Sequence, residues 1–433
     1  MPAQGLSCRL GREAPREPVS ARTAPPRLAP TLGPTLSALR AFAFAPARAA
    51  AVLALLALSA CQDPSTVGLG LIDDEASNPN VRVLAATTAE ASAFSLVTSG
   101  VASTDSQARV LVGDVRDALY GDAAAVANVD AVAPTLPSGF ADRPVTRVTL
   151  ELRRDYVYGD TTAAVPVELR RITGQWTPDG LPTETTLTTG DLIATASLSA
   201  RDSLAIIALP AAWVAANGGV FASTSFGTDF EGFELRAAGR AGDGAVLGYN
   251  VASSASVIRV ATSRDTVAFR LSEVFTSLRR GVPALTPPGR RLLRGGTGTG
   301  LRLSFDYASA LRLPLAQAVF RLPLDRSLAG ATGAFKRPLA REVALFAIPT
   351  TGEPLRTAIL TTGTRGDARS SAATQAAGVF NVFVQNLLLE RATYPSFEVR
   401  LPTNPVSLDV LPVVTDGAVP TARPRLSLTV VGQ

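Results

Sequence analysis

The chain has 433 residues, of which 46% are hydrophobic and 18% are charged, so it can bury the cores of two or three domains. Residues 1–60 hold seven arginines and two acidic residues, which accounts for the whole formal net charge of +5. Because the remaining chain is neutral, we expect no nucleic-acid partner. The chain contains no histidine, which excludes Ser-His-Asp and Cys-His catalysis and histidine-ligated zinc.

Residues 1–60 are predicted to be a leader that ends in a secretory signal. Arg40 and Arg48 precede an apolar run from residue 49 to residue 58, which is the order of a signal peptide. A run of this length is too short to cross a bilayer as a helix, which needs about 20 apolar residues. The leader is also longer than an ordinary signal, so its upstream part is expected to result from a gene start placed too early.

The stretch Leu58-Ser59-Ala60-Cys61 resembles a bacterial lipobox, in which the signal is cut before the cysteine and the cysteine carries lipid. The resemblance implies lipidation at Cys61, and the alternative is a cysteine buried in an ordinary signal or core helix. Each buried methylene of an acyl chain contributes roughly 0.8 kcal/mol, so several chains on one residue hold a protein firmly to a membrane. We therefore expect an exported lipoprotein, anchored on the periplasmic face or the surface of a bacterial envelope through a polar tether at residues 61–80.

From residue 81 onward the sequence predicts an all-β fold. In residues 145–153 apolar and polar side chains alternate with a period of two, which is typical of a half-buried strand. The same pattern, bounded by clusters of Gly, Pro, Asn and Asp, predicts further strands at 81–84, 107–112, 165–170, 203–209, 232–236 and 256–260. The best helical patterns are short and lie at 211–217 and 272–280.

Four sequence blocks recur in the same order, which indicates an internal repeat. The matched blocks are 144–155 with 314–325, 167–172 with 343–348, 232–236 with 396–400, and 256–260 with 425–430. We therefore predict two tandem β-sandwich modules, at 81–262 and 263–433, and their size favours a jelly-roll-like fold over an immunoglobulin-like one. If these boundaries hold, residues 263–433 should fold when expressed alone.

The block order resembles the jelly-roll modules called disaggregatase-related, or DNRLRE-type, of bacterial surface proteins. The residues that carry the resemblance are the strand 108–112, the pattern of 148–152, the block 167–172 closed by Trp176, and the late strand 232–236. The chain is also similar to two-module lipoproteins of Bacteroidetes and neighbouring phyla, which share the lipobox, an acidic tether and a Gly-Leu-Ile step. The resemblance implies a surface protein built from two all-β modules.

Three aromatic residues are candidate ligand-binding residues. Tyr156, Tyr158 and Trp176 are expected at the ends of neighbouring strands, where exposed rings could stack against a sugar. The alternative for each ring is packing in the core or under a loop. The second module has no counterpart of Trp176, so a ligand role for this residue would not be shared between the modules.

Acidic residues allow two further alternatives. A carboxylate pair of the glycosidase type could come from Glu151, Glu168, Glu234 and Glu398. Each of them is expected on an outward strand face beside an arginine, so solvated ion pairs are the preferred interpretation. Calcium could be held by the loop carboxylates of Asp155, Asp160, Asp229 and Glu231, although their spacing is irregular. We therefore predict no catalytic residues, no metal and no cofactor.

These observations predict a non-enzymatic, lipid-anchored protein of the cell envelope that binds glycan or another surface component. The alternative from another class is a structural scaffold or assembly factor that contacts an envelope protein, and a glycosidase is a distant third. Glycan binding predicts a row of exposed aromatic rings beside a concave sheet. A scaffold predicts a flat apolar patch or an uncovered edge strand.

Overall fold

The computed structural model describes residues 81–95, 101–102, 109–296, 299–362, 372–375, 378–402, 406–415 and 423–431. The predicted leader, the predicted lipidation site Cys61 and the predicted tether lie outside the described residues. Of the residues that the structure describes, strands hold 52% and helices 11%. The strands form several antiparallel sheets. The predicted fold class, an all-β protein of the sandwich type, is confirmed.

The strands of the first part of the chain are β1 (Val81–Ser95), β2 (Val101–Ala102), β3 (Arg109–Val115), β4 (Ala123–Val132), β5 (Val145–Asp160), β6 (Ala164–Ile172), β7 (Thr189–Ser199), β8 (Leu204–Ala208), β9 (Phe233–Ala237), β10 (Gly244–Asn250), β11 (Val257–Thr262) and β12 (Thr266–Arg280). The later strands are β13 (Arg290–Arg294), β14 (Thr299–Phe305), β15 (Leu315–Leu322), β16 (Gly330–Thr332), β17 (Phe335–Arg337), β18 (Glu342–Ile348), β19 (Leu355–Thr361), β20 (Ala372–Gln375), β21 (Ser396–Arg400), β22 (Val410–Val414) and β23 (Arg425–Val431). The α-helices are α1 (Ala211–Asn217), α2 (Phe226–Asp229) and α3 (Val379–Leu388).

One of the two predicted helices is present, and the other is a strand. Residues 211–217 form α1, as predicted. Residues 272–280 belong to β12, whose second half pairs with β4 in antiparallel register. The apolar residues Val274, Phe275 and Leu278 have a spacing that also fits one face of a helix. Pairing with a strand far away in the chain overrides that local pattern, because it buries the same side chains in a sheet.

The strand pairing is repeated in two parts of the molecule. One set of strands pairs in the order β8-β5-β11-β12-β4-β9-β6-β7. The other set pairs in the order β20-β15-β23-β1-β14-β21-β18-β19. Each sheet is covered by a strand pair, β3 with β10 in one case and β13 with β22 in the other. Inward side chains of these pairs, such as Val112 and Leu293, belong to the same buried clusters as the sheets they cover.

The register of the paired residues is also the same in both sets. Arg170 lies opposite Glu234 between β6 and β9. The residues that the sequence repeat aligns with them, Phe346 and Glu398, lie opposite each other between β18 and β21. The helices correspond as well, since α1 follows β8 and α3 follows β20. The internal repeat that the sequence indicates is therefore present in the strand pairing.

Strand β1 takes the position in the second sheet that β12 takes in the first. The first half of β12 pairs with β11 and its second half with β4, and β1 pairs in the same way with β23 and β14. Both long strands have an irregularity at the same point of the register, between Leu271 and Val274 in β12 and between Thr88 and Glu90 in β1. The two modules are therefore circular permutations of one arrangement. The position that β12, the last strand of one module, occupies is filled in the other module by its first strand, β1.

The predicted module boundaries at 81–262 and 263–433 differ from this strand pairing. We call residues 109–280 the inserted module, because they lie in sequence between β1 and β13 of the other module. That other module, formed by residues 81–95 and 290–431, is called the split module. The matched sequence blocks end at β11 and β23. They therefore do not include β12, which follows β11, or its counterpart β1, the first described strand.

Three clusters of buried apolar side chains stabilise the described part of the molecule. One lies inside the inserted module and includes the ring group of Phe221, Phe226 and Phe269, whose centroids are 4.9 to 5.7 Å apart. The second lies inside the split module. The third combines side chains of both modules, among them Leu111 and Leu408, and so forms their interface. A fully buried side chain of this kind contributes about 1.5 to 3 kcal/mol.

We predict that residues 281–433 do not fold alone. Without β1 the eight-stranded sheet of the split module lacks the strand between β23 and β14, which leaves two unpaired edges in the middle of the sheet. Val81 lies opposite Val431, so residues 81–95 can be fused after residue 431 through a short turn. Copying residues 262–265, the turn between β11 and β12, supplies that connection. The fused fragment should show a cooperative thermal transition by circular dichroism.

The control is the same fusion with residues 81–95 in scrambled order, which keeps length and composition but removes the matched register. We expect the scrambled fusion to stay unfolded. Cooperative unfolding of residues 281–433 without any added strand would contradict the assignment of β1 to the split module.

Candidate functional site

The structure buries the two tyrosines that the sequence put forward as a sugar-stacking surface. Tyr156 and Tyr158 on β5 are 8% and 0% exposed and belong to the apolar cluster between the modules. The hydroxyl oxygen of Tyr156 accepts a hydrogen bond from the backbone N–H of Leu408 at 3.0 Å. The Tyr158 ring packs edge-on against Phe335, with ring centroids 6.2 Å apart. Neither ring is exposed, so their prediction as exposed binding residues is wrong.

Trp176, the third predicted ring, is partly buried in another place. Its indole N–H donates to the backbone oxygen of Glu231 at 2.8 Å, which fixes the ring to the segment before β9. The structure therefore does not bring Trp176 together with the interface tyrosines. Every aromatic side chain whose burial the structure describes is buried or partly buried, so the described residues form no exposed aromatic row.

A buried carboxylate, Asp117, connects the two modules. It accepts a hydrogen bond from the Tyr158 hydroxyl at 2.6 Å and two from the guanidinium of Arg337, at 2.7 and 3.1 Å. Arg337 ends β17, which pairs with the end of β5 across the interface. Burial acts to raise the pKa of Asp117, but the hydrogen bonds from Arg337 and Tyr158 outweigh it and hold the pKa below its ordinary value.

An open cleft lies beside this cluster, where the inserted and split modules meet. Its volume is about 570 Å³, which is within the range of about 300 to 1,000 Å³ typical of ligand pockets. Six charged residues line it, namely Arg109, Asp155, Lys336, Arg341, Glu342 and Asp409. The apolar part of the wall includes Leu339, Leu401 and Pro402 of the split module and Tyr156 and Val157 of the inserted module.

Arg109 and Asp155 form one rigid side of the cleft. The guanidinium donates to both carboxylate oxygens of Asp155 at 2.8 Å, and a third hydrogen bond reaches the backbone oxygen of Val406 at 3.4 Å. Arg109 also lies over the ring of Tyr156, 5.0 Å from its centroid. Bidentate pairing and the ring contact fix the guanidinium in one orientation.

Asp409 is the most unusual group in the cleft. Its oxygen Oδ1 is buried and has no hydrogen-bond partner among the described residues. Burial raises the pKa of Asp409 above its ordinary value, although Tyr156, Arg109 and Arg341 act in the opposite direction. Asp409 also lines the cleft, so its carboxylate can serve as an acceptor for a group that enters.

The four glutamates considered for glycosidase chemistry are all paired with arginine. Glu168 pairs with Arg170, Glu234 with Arg236, Glu151 with Arg259, and Glu398 with both Arg302 and Arg400. The expectation that all four lie on solvated faces is wrong for Glu234 and Glu398, which are 1% and 2% exposed. Each lies on a central strand of its sheet and has a residue of a neighbouring strand on either side, Asn128 and Arg170 for Glu234 and Arg302 and Phe346 for Glu398.

Two of the four residues considered for calcium have other side-chain contacts. Asp155 is held by Arg109, and Asp160 accepts hydrogen bonds from the backbone and the hydroxyl of Thr162, each at 2.7 Å. Within the described ranges, no group of three or more His, Cys, Asp or Glu residues is placed to hold a metal ion.

Sequence reasoning missed the three residues that define this region, Asp117, Arg337 and Asp409. Each lies in a turn or at a strand end, where acidic and basic residues are common and no spacing rule distinguishes these three from their neighbours. They meet their partners only where one module packs on the other.

None of the described helices is long and apolar enough to cross a membrane. No protein-family model matches this chain, and no curated protein is significantly similar to it.

We predict that Asp117→Asn lowers the free energy of unfolding by about 3 kcal/mol at pH 7, because it removes one partner of a buried ion pair. The pKa of Asp117 is lower in the folded state than its ordinary value of 3.8. The stabilisation is therefore complete above about pH 4 and is lost as the pH falls through the folded-state pKa. Urea denaturation of wild type and variant between pH 3 and pH 7 measures this difference.

Glu353→Gln, which removes an exposed carboxylate from the connection between β18 and β19, is the matched control and should leave stability unchanged. An Asp117→Asn variant with wild-type stability at every pH would contradict a stabilising role for the pair with Arg337.

Proposed function

We propose that the protein is a non-catalytic, lipid-anchored protein of the bacterial envelope that binds an envelope component, with a glycan as the first candidate. The anchoring part rests on the lipobox resemblance at Cys61 and on the signal-like order before it. The resemblance of the repeated blocks to jelly-roll modules of surface proteins supports the same location.

The binding part of the proposal is carried by one observation, the cleft between the modules. It presents hydrogen-bond donors and acceptors that the fold holds in fixed positions, such as the Arg109 guanidinium and the Asp409 carboxylate. A small number of polar groups held in fixed positions usually gives a concave site its ligand specificity. The binding surface first expected, made of stacked aromatic rings, is replaced in this proposal by the cleft.

A scaffold that contacts an envelope protein is the second candidate, because edge strands carry exposed apolar side chains. Among the described strands, β7 pairs only with β6, and β8 pairs only with β5. Leu192 on β7 is 46% exposed and Ile206 on β8 is 59% exposed. Such edges are available for pairing with a strand of another protein.

We expect Cys61→Ser to stay unlipidated and to be released from membranes into the soluble fraction. Mass spectrometry of the membrane-bound wild type should find an acylated N-terminal cysteine. Ser65→Ala, which changes the predicted tether and keeps Cys61, is the control and should not affect anchoring. An unmodified Cys61 in membrane-bound wild-type protein would rule out the lipid anchor.

The two binding candidates are separated by testing the soluble chain from Gln62 against both partner classes. We expect binding on a glycan array. If the protein is a scaffold, we instead expect cross-linking to an envelope protein. The double variant Leu192→Lys, Ile206→Lys should abolish this cross-linking. Cross-linking that depends on these two residues, together with no binding on the array, would replace the glycan proposal by the scaffold.

A further inference from the structure

The chemistry of the cleft between the modules restricts the kind of ligand that fits it. The lining charges balance, with three cationic residues, Arg109, Lys336 and Arg341, and three carboxylates, Asp155, Glu342 and Asp409. The Arg109 and Asp155 charges already neutralise each other. A strongly ionic ligand would gain attraction from one sign and repulsion from the other, so the balance favours a neutral ligand.

The polar groups of the cleft include acceptors and donors close together. The Asp409 carboxylate lines the cleft and supplies acceptors. Arg341 lies near enough to lower the pKa of that carboxyl, and its side chain supplies donors. A hydroxyl group donates one hydrogen bond and accepts others at the same time. A ligand with neighbouring hydroxyls therefore matches a carboxylate beside a guanidinium better than a ligand with donors or acceptors alone.

Much of the remaining wall of the cleft is aliphatic. Pro338, Leu339, Leu401 and Pro402 present C–H surface. The C–H faces of a sugar ring can pack against such a surface while its hydroxyls reach the polar side. No ring stacking is required, which agrees with the burial of Tyr156 against the back of the cleft.

A peptide strand fits the site less well, because the described strands β5 and β18 beside it are already paired with other strands. Strand β5 continues into pairing with β10 and β17, and β18 pairs with both β19 and β21. A peptide that extends a sheet needs an unpaired edge.

We propose that the cleft between the inserted and split modules binds a neutral saccharide unit, with the Asp409 carboxylate as acceptor and Arg341 as donor for neighbouring hydroxyls. This inference rests on the proposed function and gives it a site and a ligand class.

The test uses the soluble chain from Gln62 and a panel of neutral saccharides, namely glucose, galactose, mannose, xylose, fucose, N-acetylglucosamine and their short oligomers. Glucuronic acid and sialic acid are the acidic comparators. Titration calorimetry and ligand-observed NMR measure binding to the wild type, Asp409→Asn, Arg341→Gln and the control Glu353→Gln. We expect a neutral saccharide to bind the wild type and the control equally, and each cleft variant about tenfold more weakly.

The two cleft variants separate binding from folding. Asp409→Asn removes a buried charge without changing the side-chain shape, and Arg341→Gln changes an exposed side chain. Thermal melting should show both variants to be folded. Should Asp409→Asn fail to fold, Arg341→Gln alone decides the result.

Three outcomes would overturn the cleft proposal. Neutral saccharide binding that survives both cleft variants keeps the proposed function but places the site elsewhere. Binding of the acidic sugars alone would show that the ligand class is wrong. Absence of binding to any saccharide of the panel overturns the site, and cross-linking to an envelope protein would then identify the scaffold as the function.

Discussion

Strand β1 is hydrogen-bonded on one side by β23, which ends the described chain, and on the other by β14. The sheet of the split module is therefore complete only when the first described strand meets the last one. The inserted module lies in sequence between β1 and β13, so the chain leaves the split module after β1 and returns to it at β13. The chain consequently passes between the modules twice, once after β1 and once after β12. Two covalent connections reduce the freedom of one module relative to the other far more than one would.

Three kinds of contact hold the two modules together. Apolar side chains of both modules form a common buried cluster, in which Tyr120, Tyr156 and Tyr158 are the largest members of the inserted module. The hairpin β16–β17, which the inserted module lacks at the corresponding place, extends the sheet of that module by pairing with β5. The buried pair of Asp117 and Arg337 lies at the end of this hairpin. A buried ion pair adds little stability over an apolar contact, but a broken one is costly, so it penalises any other docking of the modules.

The cleft is a consequence of the same docking. Its acidic and basic groups come from both modules, with Arg109 and Asp155 on one side and Arg341 and Asp409 on the other. Neither module alone would place these groups within reach of one ligand. In the proposed function, anchoring and binding are thus coupled through the fold, because the predicted tether leads directly into β1 and β1 completes the module that supplies half of the cleft.

The sequence by itself determined the fold class, about half of the described strands and the internal repeat. Alternation of apolar and polar residues is a local property, and blocks such as 232–236 and 396–400 keep their pattern because each fills the same place in a sheet. The tertiary structure alone decided that β12 is a strand, that β1 belongs to the split module, and that Tyr156 and Tyr158 are interface residues. These features depend on pairing and packing between segments that are far apart in the chain, and a pattern of period two is the same whether the other face meets solvent or a second module.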